Sequence, residues 1–419
     1  MNLSRWDREL FDAIEDREPE RIIRLLDEGR TSIETLHYNG HTPIFHAMHH
    51  SSEEIIKLLL GRKANIDITD IYNQTLLHEA ARRGYKEIAQ LLLKANANIE
   101  ACNIWGETPL HEAASNRDGR CIKLLLDANA NLESFSKRDR TPLGCAVAEG
   151  YENSTRILLE ARSNVEIRNN SGDTPLHLAA LNGRKETAKL LVDFGADIET
   201  IDMYHGTPLH YAIVSENEET VRFLLENKAN TERFDGEGMT PLHLAISFGH
   251  EGIIQLLLDF GANTEAVVPE NFPCEGCPSL YLAMKKLDDE KKEKVVRLLL
   301  NSRANVNMRN SKNNTLLHQA ARKGTKTMVK LLLEHGGWIH AKNIHEKTPL
   351  CYAKKPKRKL LLSFSTSSNI DWSPTVHCLT SEETKQIILT MMMIWSTNQS
   401  SYLLDMPPEL LFLFFNFLV

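Results

Sequence analysis

Apolar residues in this chain fall into short clusters at helical spacing, and the clusters come in pairs. In one clear pair, Leu176, Ala179 and Ala180 mark one face of a helix that begins after Thr174-Pro175. Threonine suits the N-cap because its hydroxyl takes up a free backbone N–H of the first turn. Proline suits the first helical position because its missing donor costs nothing there. After Gly183, the stretch Lys185 to Val192 predicts a second helix with its own apolar stripe. Gly195 closes it, placed to take a left-handed conformation just past the cap. Two short antiparallel helices and a hairpin-like loop make one unit. A unit of this size cannot bury its own apolar face, so the units must stack.

The pair recurs at a fixed interval. Thr75, Thr108, Thr141, Thr174, Thr207 and Thr240 each open a copy, 33 residues apart, and Thr42 opens another at the same spacing upstream. A period of that length decides the fold class before any other feature is weighed. Residues 4 to 38 read as a divergent first unit, with Leu10-Phe11-Asp12-Ala13-Ile14 in the first helix and Ile22 to Leu26 in the second. Arg5, Asp7, Arg8, Glu9, Asp16, Arg17 and Glu18 give it the polar outer surface that a terminal unit needs. Beyond Thr240 the spacing loosens. The copy at Pro278 follows a five-residue insertion within Val267 to Cys277. The copy at Thr315 follows four extra residues, assigned to the charged connection Lys285 to Lys292. The copy at Thr348 is cut short by Lys354-Lys355-Pro356-Lys357-Arg358-Lys359, where Pro356 would end the first helix. Leu360 to Asn369 is Ser-rich and reads as a linker.

Thr-Pro-Leu-His-x-Ala, the glycine after it, the Leu-Leu-Leu run and the Gly-Ala-Asn or Gly-Ala-Asp ending resemble the ankyrin repeat, over about the first 353 residues. The resemblance implies an all-α fold, a solenoid of about eleven stacked helix-turn-helix units with hairpin-like loops, followed by a small C-terminal helical element. The expected organisation is a capping unit at 1–39, repeats at 40–353, a basic and Ser-rich linker at 354–371, and a helical tail at 372–419. It also implies protein–protein recognition on a concave face, with no chemistry.

The tail carries a second resemblance. Ser381-Glu382-Glu383-Thr384 is a capping-box-like helix start. Met406, Pro407, Glu409, Leu410, Leu411, Phe414, Phe415 and Leu418 then resemble the opening of an F-box. Such F-box-like (PRANC-like) tails end ankyrin proteins of poxviruses, amoebae and some bacterial symbionts. The resemblance implies that Pro407, Glu409, Leu410, Leu411, Phe414 and Leu418 dock the adaptor subunit of a cullin-type ubiquitin ligase, which would make the chain a substrate receptor. The alternative is a structural or inhibitory scaffold whose tail only caps the array.

Bulk properties narrow the partners. A formal charge of −7 and a pI near 6.2 give no support for non-specific nucleic-acid binding. Seven cysteines, an odd number and mostly isolated, suggest reduced thiols. The N-terminus has no secretory apolar core and no run is long enough for a membrane helix, so a cytoplasmic location is expected. Lys354 to Lys359 resembles a nuclear-localisation run; otherwise it is a basic cap favouring a helix C-terminus.

Candidate chemistry is sparse. His78, His111, His177, His210, His243 and His318 stand at the motif's fourth position. Spaced one unit apart they form a ladder too open to share a ligand, and in the ankyrin family this histidine bonds backbone groups of adjoining loops. Cys274-Glu275-Gly276-Cys277 has the spacing of half a zinc site or of a redox pair, but a zinc site lacks a second pair and a thioredoxin-like one would want a strand before it and a helix after it. No phosphate loop, nucleophile elbow or zinc-protease motif is present. The expectation is therefore no enzyme activity, no cofactor, no metal and no small-molecule substrate. The informative variation lies three and four residues before each motif threonine, at the hairpin tips: Tyr38, Ile71-Tyr72, Ile104-Trp105, Lys137-Arg138, Met203-Tyr204, Glu237 and Ile344-His345. Tips are usually polar, and these residue types are enriched where interfaces bury their anchors. Tyr38, Ile71, Tyr72, Ile104, Trp105, Lys137, Arg138, Met203 and Tyr204 are the expected partner-binding residues. The alternative is that the tips only pack on one another.

Overall fold

The computed structural model describes residues 4–37, 40–50, 52–268, 278–310 and 312–366. Among these residues the regular structure is helical, twenty-two helices with isolated β-bridges only. None of the described helices is long and apolar enough to cross a membrane. The chain divides into two compact bodies, Met1–Ala304 and Asn305–Val419.

In the first body every unit is a helix pair. The first unit supplies Arg5–Glu15 and Pro19–Asp27. Ser4 starts it with a reciprocal cap: its hydroxyl accepts the Asp7 N–H at 3.0 Å, and the Asp7 carboxylate accepts the Ser4 N–H at 3.1 Å. The unit at Thr174 shows the regular pattern, helices Pro175–Leu181 and Lys185–Asp193. Thr174 is extended at the N-cap, Pro175 takes the first helical position, and Leu176, Ala179 and Ala180 are fully buried. Gly195 follows the second helix with φ of 92°. The same place is held by Lys63, Asn96, Asn129, Arg162, Lys228 and Arg303 in other units, all with positive φ. The left-handed turn is thus set by the stack even where the residue resists it.

Two kinds of hydrogen bond tie each unit to the next. On the outer loops a carboxylate accepts the backbone N–H of a residue 31 positions on: Glu100 from Asn131 at 2.7 Å, Glu133 from Asn164 at 2.8 Å, Glu166 from Asp197 at 2.8 Å and Glu199 from Asn230 at 2.7 Å. The motif histidines supply the second tie. In His177, Nδ1 lies 3.2 Å from the Thr174 backbone nitrogen, which can only donate, so Nδ1 carries no proton. The proton sits on Nε2, which donates to the Gly206 carbonyl at 3.1 Å in the next unit. His78 and His111 make the same pair of contacts, reaching Glu107 and Arg140. His78, His111 and His177 are interunit struts, as the resemblance implied, while Nε2 of His210 and of His243 makes no such bond.

Near the end of this body the structure departs from the sequence reading. The four extra residues assigned to the Lys285–Lys292 connection lengthen the following helix instead. Asp289–Asn301 has 13 residues, against nine in Glu251–Asp259. The connection stays at Leu287-Asp288 because the Asp288 side chain caps the new N-terminus, accepting the Lys291 N–H at 3.0 Å. Most of the other insertion, residues 269–277 with Cys274 and Cys277, lies outside the described residues.

The second body holds Leu316–Lys323, Lys326–Glu334, Pro349–Tyr352 and Lys355–Thr366. The helix after Thr348 stops at Tyr352, as the basic run suggested, but the stretch read as a linker contains the helix Lys355–Thr366. Pro356 lies in its first turn, where a missing N–H breaks no bond. Leu361 is fully buried, and Lys357 Nζ donates to the Ala320 and Gly324 carbonyls at 3.2 and 2.9 Å. Gly324 is extended, so it does not close the helix Leu316–Lys323 with a left-handed turn; the Ala320 carbonyl accepts the Gly324 N–H, and Lys357 adds a second donor to it while also taking up the Gly324 carbonyl. Burial lowers the Lys357 pKa. Residues 367–419 lie outside the described residues, and with them Pro407, Glu409, Leu410, Leu411, Phe414 and Leu418.

Candidate functional site: the finger edge and the first-helix face

Each hairpin tip is a tight turn built by its own first residue. Asp70, Asn103, Asp202 and Asp235 turn their side-chain oxygens back to accept backbone N–H groups two and four residues on. The tips are then joined to one another. Ile104 N–H donates to the Tyr72 carbonyl at 2.9 Å, and Lys137 N–H to the Trp105 carbonyl at 2.7 Å. Asp139 accepts from the side chain of Asn170 at 2.8 Å. Met203 N–H donates to the Ser171 carbonyl at 2.9 Å, and Gly236 N–H to the Tyr204 carbonyl at 2.6 Å. A hydrogen-bonded edge therefore runs unbroken from Tyr72 to Gly236.

Side chains on this edge are held in place yet open. Ile71, Met203 and Tyr204 are 78%, 68% and 70% exposed, while Tyr72, Ile104, Lys137 and Arg138 are also exposed. Tyr72 and Trp105 stack with ring centroids 5.4 Å apart, and Lys137 Nζ donates to the Ile104 carbonyl at 2.9 Å. The tips do pack on one another, and the packing leaves their apolar surface facing outward. Tyr38 lies outside the described residues.

Beside the fingers, the first helices carry a row that the tip pattern did not reveal. Leu181, Val214 and Phe248, at the ends of three successive first helices, are 42%, 47% and 48% exposed, and Leu178, Tyr211 and Leu244 are half-buried beside them. The signal was the repeat phase itself, since Leu181 and Val214 both stand seven residues after a motif threonine. Earlier units are charged at the matching places. Glu79 pairs with Arg82 at 2.6 Å, and burial pushes the Glu112 carboxyl up to about 7, helped by Glu107. Tyr211 fastens the helix face to the finger bases. Its hydroxyl lies 2.7 Å from Asp173 and 2.6 Å from Asp202, and burial with those carboxylates raises its pKa.

The family description "Ankyrin repeats (3 copies)" matches residues 10–103, 77–169, 161–235, 229–310 and 280–369. The chain belongs to the ankyrin-repeat family. An ankyrin repeat protein of fowlpox virus (strain NVSL) is 36% identical over 77 residues, which span 18% of this chain and 41% of that relative. The match thus covers well under half of the relative's length. Among solved structures, the human ASB11 ankyrin repeat domain is 28% identical with a TM-score of 0.47, covering 54% of this chain and 96% of that one. The ankyrin repeat domain of Bcl-3 is 29% identical with a TM-score of 0.48, covering 54% and 98%. Ankyrin repeats as a family are protein-interaction scaffolds, and the finger edge of this array presents exposed apolar and cationic groups.

Proposed function

We propose that this ankyrin protein is a non-enzymatic scaffold that holds a protein partner against the finger edge and the adjoining first-helix row. The observation that carries the reading is an edge of exposed Ile71, Tyr72, Ile104, Met203 and Tyr204 whose backbone is already fixed by tip-to-tip hydrogen bonds. Exposed apolar surface on preordered backbone favours binding because little conformational freedom remains to be lost. The partner surface it fits has apolar knobs, with acidic groups opposite Lys137 and Arg138. Changing Tyr72, Trp105, Arg138 and Tyr204 together to Ser should abolish retention of the proteins captured by the immobilised full chain, since anchors of these types are worth about 2 kcal/mol or more each. Far-UV circular dichroism should stay unchanged. An unaltered captured set would move the interface to the second helices.

A finer reading rests on residues 404–419. Met406-Pro407, Glu409, Leu410 and Leu411 support an F-box-like tail that recruits a ubiquitin-ligase adaptor, so that the bound partner becomes a ligase target. Purified adaptor should be retained by the full chain and lost on deleting 404–419. If the full chain retains none, and the deletion instead lowers the melting temperature, the tail only caps the array.

A further inference from the structure

Where the capping unit meets the first regular unit, the motif breaks in an unusual way. Phe45 takes the place that histidine holds elsewhere, and His46 stands one residue later, with His50 one turn beyond it. Glu15, the last residue of the helix Arg5–Glu15, projects toward both. Its Oε1 lies 3.0 Å from His46 Nε2 and 3.9 Å from His50 Nε2, and the three ligand atoms all fall within 4.8 Å of one another. The His46 side chain is 7% exposed; those of His50 and Glu15 are 35% and 49% exposed. One donor is therefore fixed deep in the structure while the other two close over it from the rim.

The rest of the pocket is suited to hold this arrangement. Phe11 packs edge-on to His46 with centroids 5.1 Å apart, and the His50 ring lies 4.7 Å from the His46 ring. Arg17 donates to the His50 carbonyl at 2.9 Å, which anchors the backbone of the outer ligand. His37 also contacts the His46 ring, at 4.8 Å.

We propose that Glu15, His46 and His50 form a zinc site that fastens the capping unit to the first regular unit. Two imidazole nitrogens and one carboxylate oxygen are a borderline donor set, which selects Zn²⁺ over the all-oxygen preference of Ca²⁺ or Mg²⁺. A tetrahedral centre with bonds of about 2.0–2.1 Å sets its ligand atoms about 3.3 Å apart. The Glu15–His46 edge is already that short, so assembly needs only a modest inward turn of His50. The half-exposed side leaves the fourth position to water. The consequence is a metal crosslink between residues 31 and 35 positions apart that ties two neighbouring units of the stack.

The test uses the full-length chain, stripped with chelator, in a Cys274→Ser/Cys277→Ser background that removes the other zinc candidate. One Zn²⁺ per chain should bind in equilibrium dialysis and raise the melting temperature. Co²⁺ should give the visible spectrum of a tetrahedral site without a thiolate charge-transfer band. His50→Gln and Glu15→Gln, both at partly exposed positions and so compatible with folding, should each weaken zinc binding by about tenfold or more and remove the thermal shift. His335→Gln, a histidine outside the site, should leave both unchanged. Binding that persists undiminished in His50→Gln and Glu15→Gln, or no stoichiometric binding in the unsubstituted site, overturns the proposal.

Discussion

Acidification from pH 7 to pH 5 is expected to lower the melting temperature of the array before its carboxylates, the buried Glu112 excepted, titrate. Burial lowers the pKa of His78, His111, His177, His210, His243 and His318, with His243 brought down to about 4 from an ordinary 6.5. The folded chain thus binds fewer protons than the unfolded chain between those values. Stability is complete above about pH 6.5 and falls as pH drops toward the folded-state values. For His243 alone the loss at pH 5 is about 2 kcal/mol. The hydrogen-bond geometry explains why the charged form is disfavoured: a proton added at Nδ1 would face the donor N–H of the motif threonine.

One buried acid works the other way. Glu112, raised to about 7, is a desolvated carboxylate at neutral pH, and its protonation on acidification is stabilising. Glu112→Gln should therefore deepen the acid-induced drop. The lowered carboxylates Asp7 and Glu79 lose their contribution only below about pH 4.5, outside this window. Thermal melts at half-unit pH intervals read the effect. A melting temperature that is flat or rising between pH 7 and pH 5 would remove the histidine struts as titrating groups.

Much of the array was legible because each local signal repeats in phase with the others. Thr174-Pro175 and its copies marked helix starts, and Leu176, Ala179 and Ala180 named the buried face. What was not legible depended on contacts across units. The helix Lys355–Thr366 was hidden because a basic, Ser-containing stretch has weak periodicity, and its support comes from Leu361 and from Lys357 reaching carbonyls of another helix. The start of the helix Asp289–Asn301 falls within the charged stretch Lys285–Lys292 that the sequence assigns to a connection, because charge there outweighs helix-forming character. The finger edge was partly visible, since exposed tips can be read from residue type. The row Leu181, Val214 and Phe248 required knowing which end of each first helix stays uncovered. The Glu15, His46 and His50 cluster was missed although the repeat phase sets position 15 beside positions 46 to 50, because His46 stands one place off the motif histidine.

The histidine ladder also has a gap, and the gap predicts a gain. At Gly144 the imidazole is absent: the Thr141 hydroxyl still accepts the Gly144 N–H at 3.2 Å, but no side chain reaches the carbonyl 29 residues on, at Asp173. The rungs that close span that same 29-residue step, from His78 to Glu107, His111 to Arg140 and His177 to Gly206, whereas Nε2 of His210 and of His243 makes no such bond. His177→Leu should destabilise the array by about 2–4 kcal/mol, because the buried Thr174 N–H loses its acceptor and the Gly206 carbonyl loses one of its donors. That carbonyl keeps a second donor, Asp202 N–H at 3.0 Å, which limits the cost. The converse change, Gly144→His, should stabilise by about 1–2 kcal/mol. It replaces a glycine in the first turn of the helix Pro142–Glu149, worth at most about 1 kcal/mol, and supplies the missing strut. A Cβ at Gly144 would meet Leu178 Cδ1 at 3.4 Å and Thr141 Oγ1 at 3.5 Å, ordinary contacts, and its φ is not in the left-handed region. Urea unfolding of both variants reads the pair, with Gly144→Ala separating the helix effect from the strut. If Gly144→His is no more stable than Gly144→Ala, the imidazole there makes no bond across the units. The ladder would then act through the threonine cap alone.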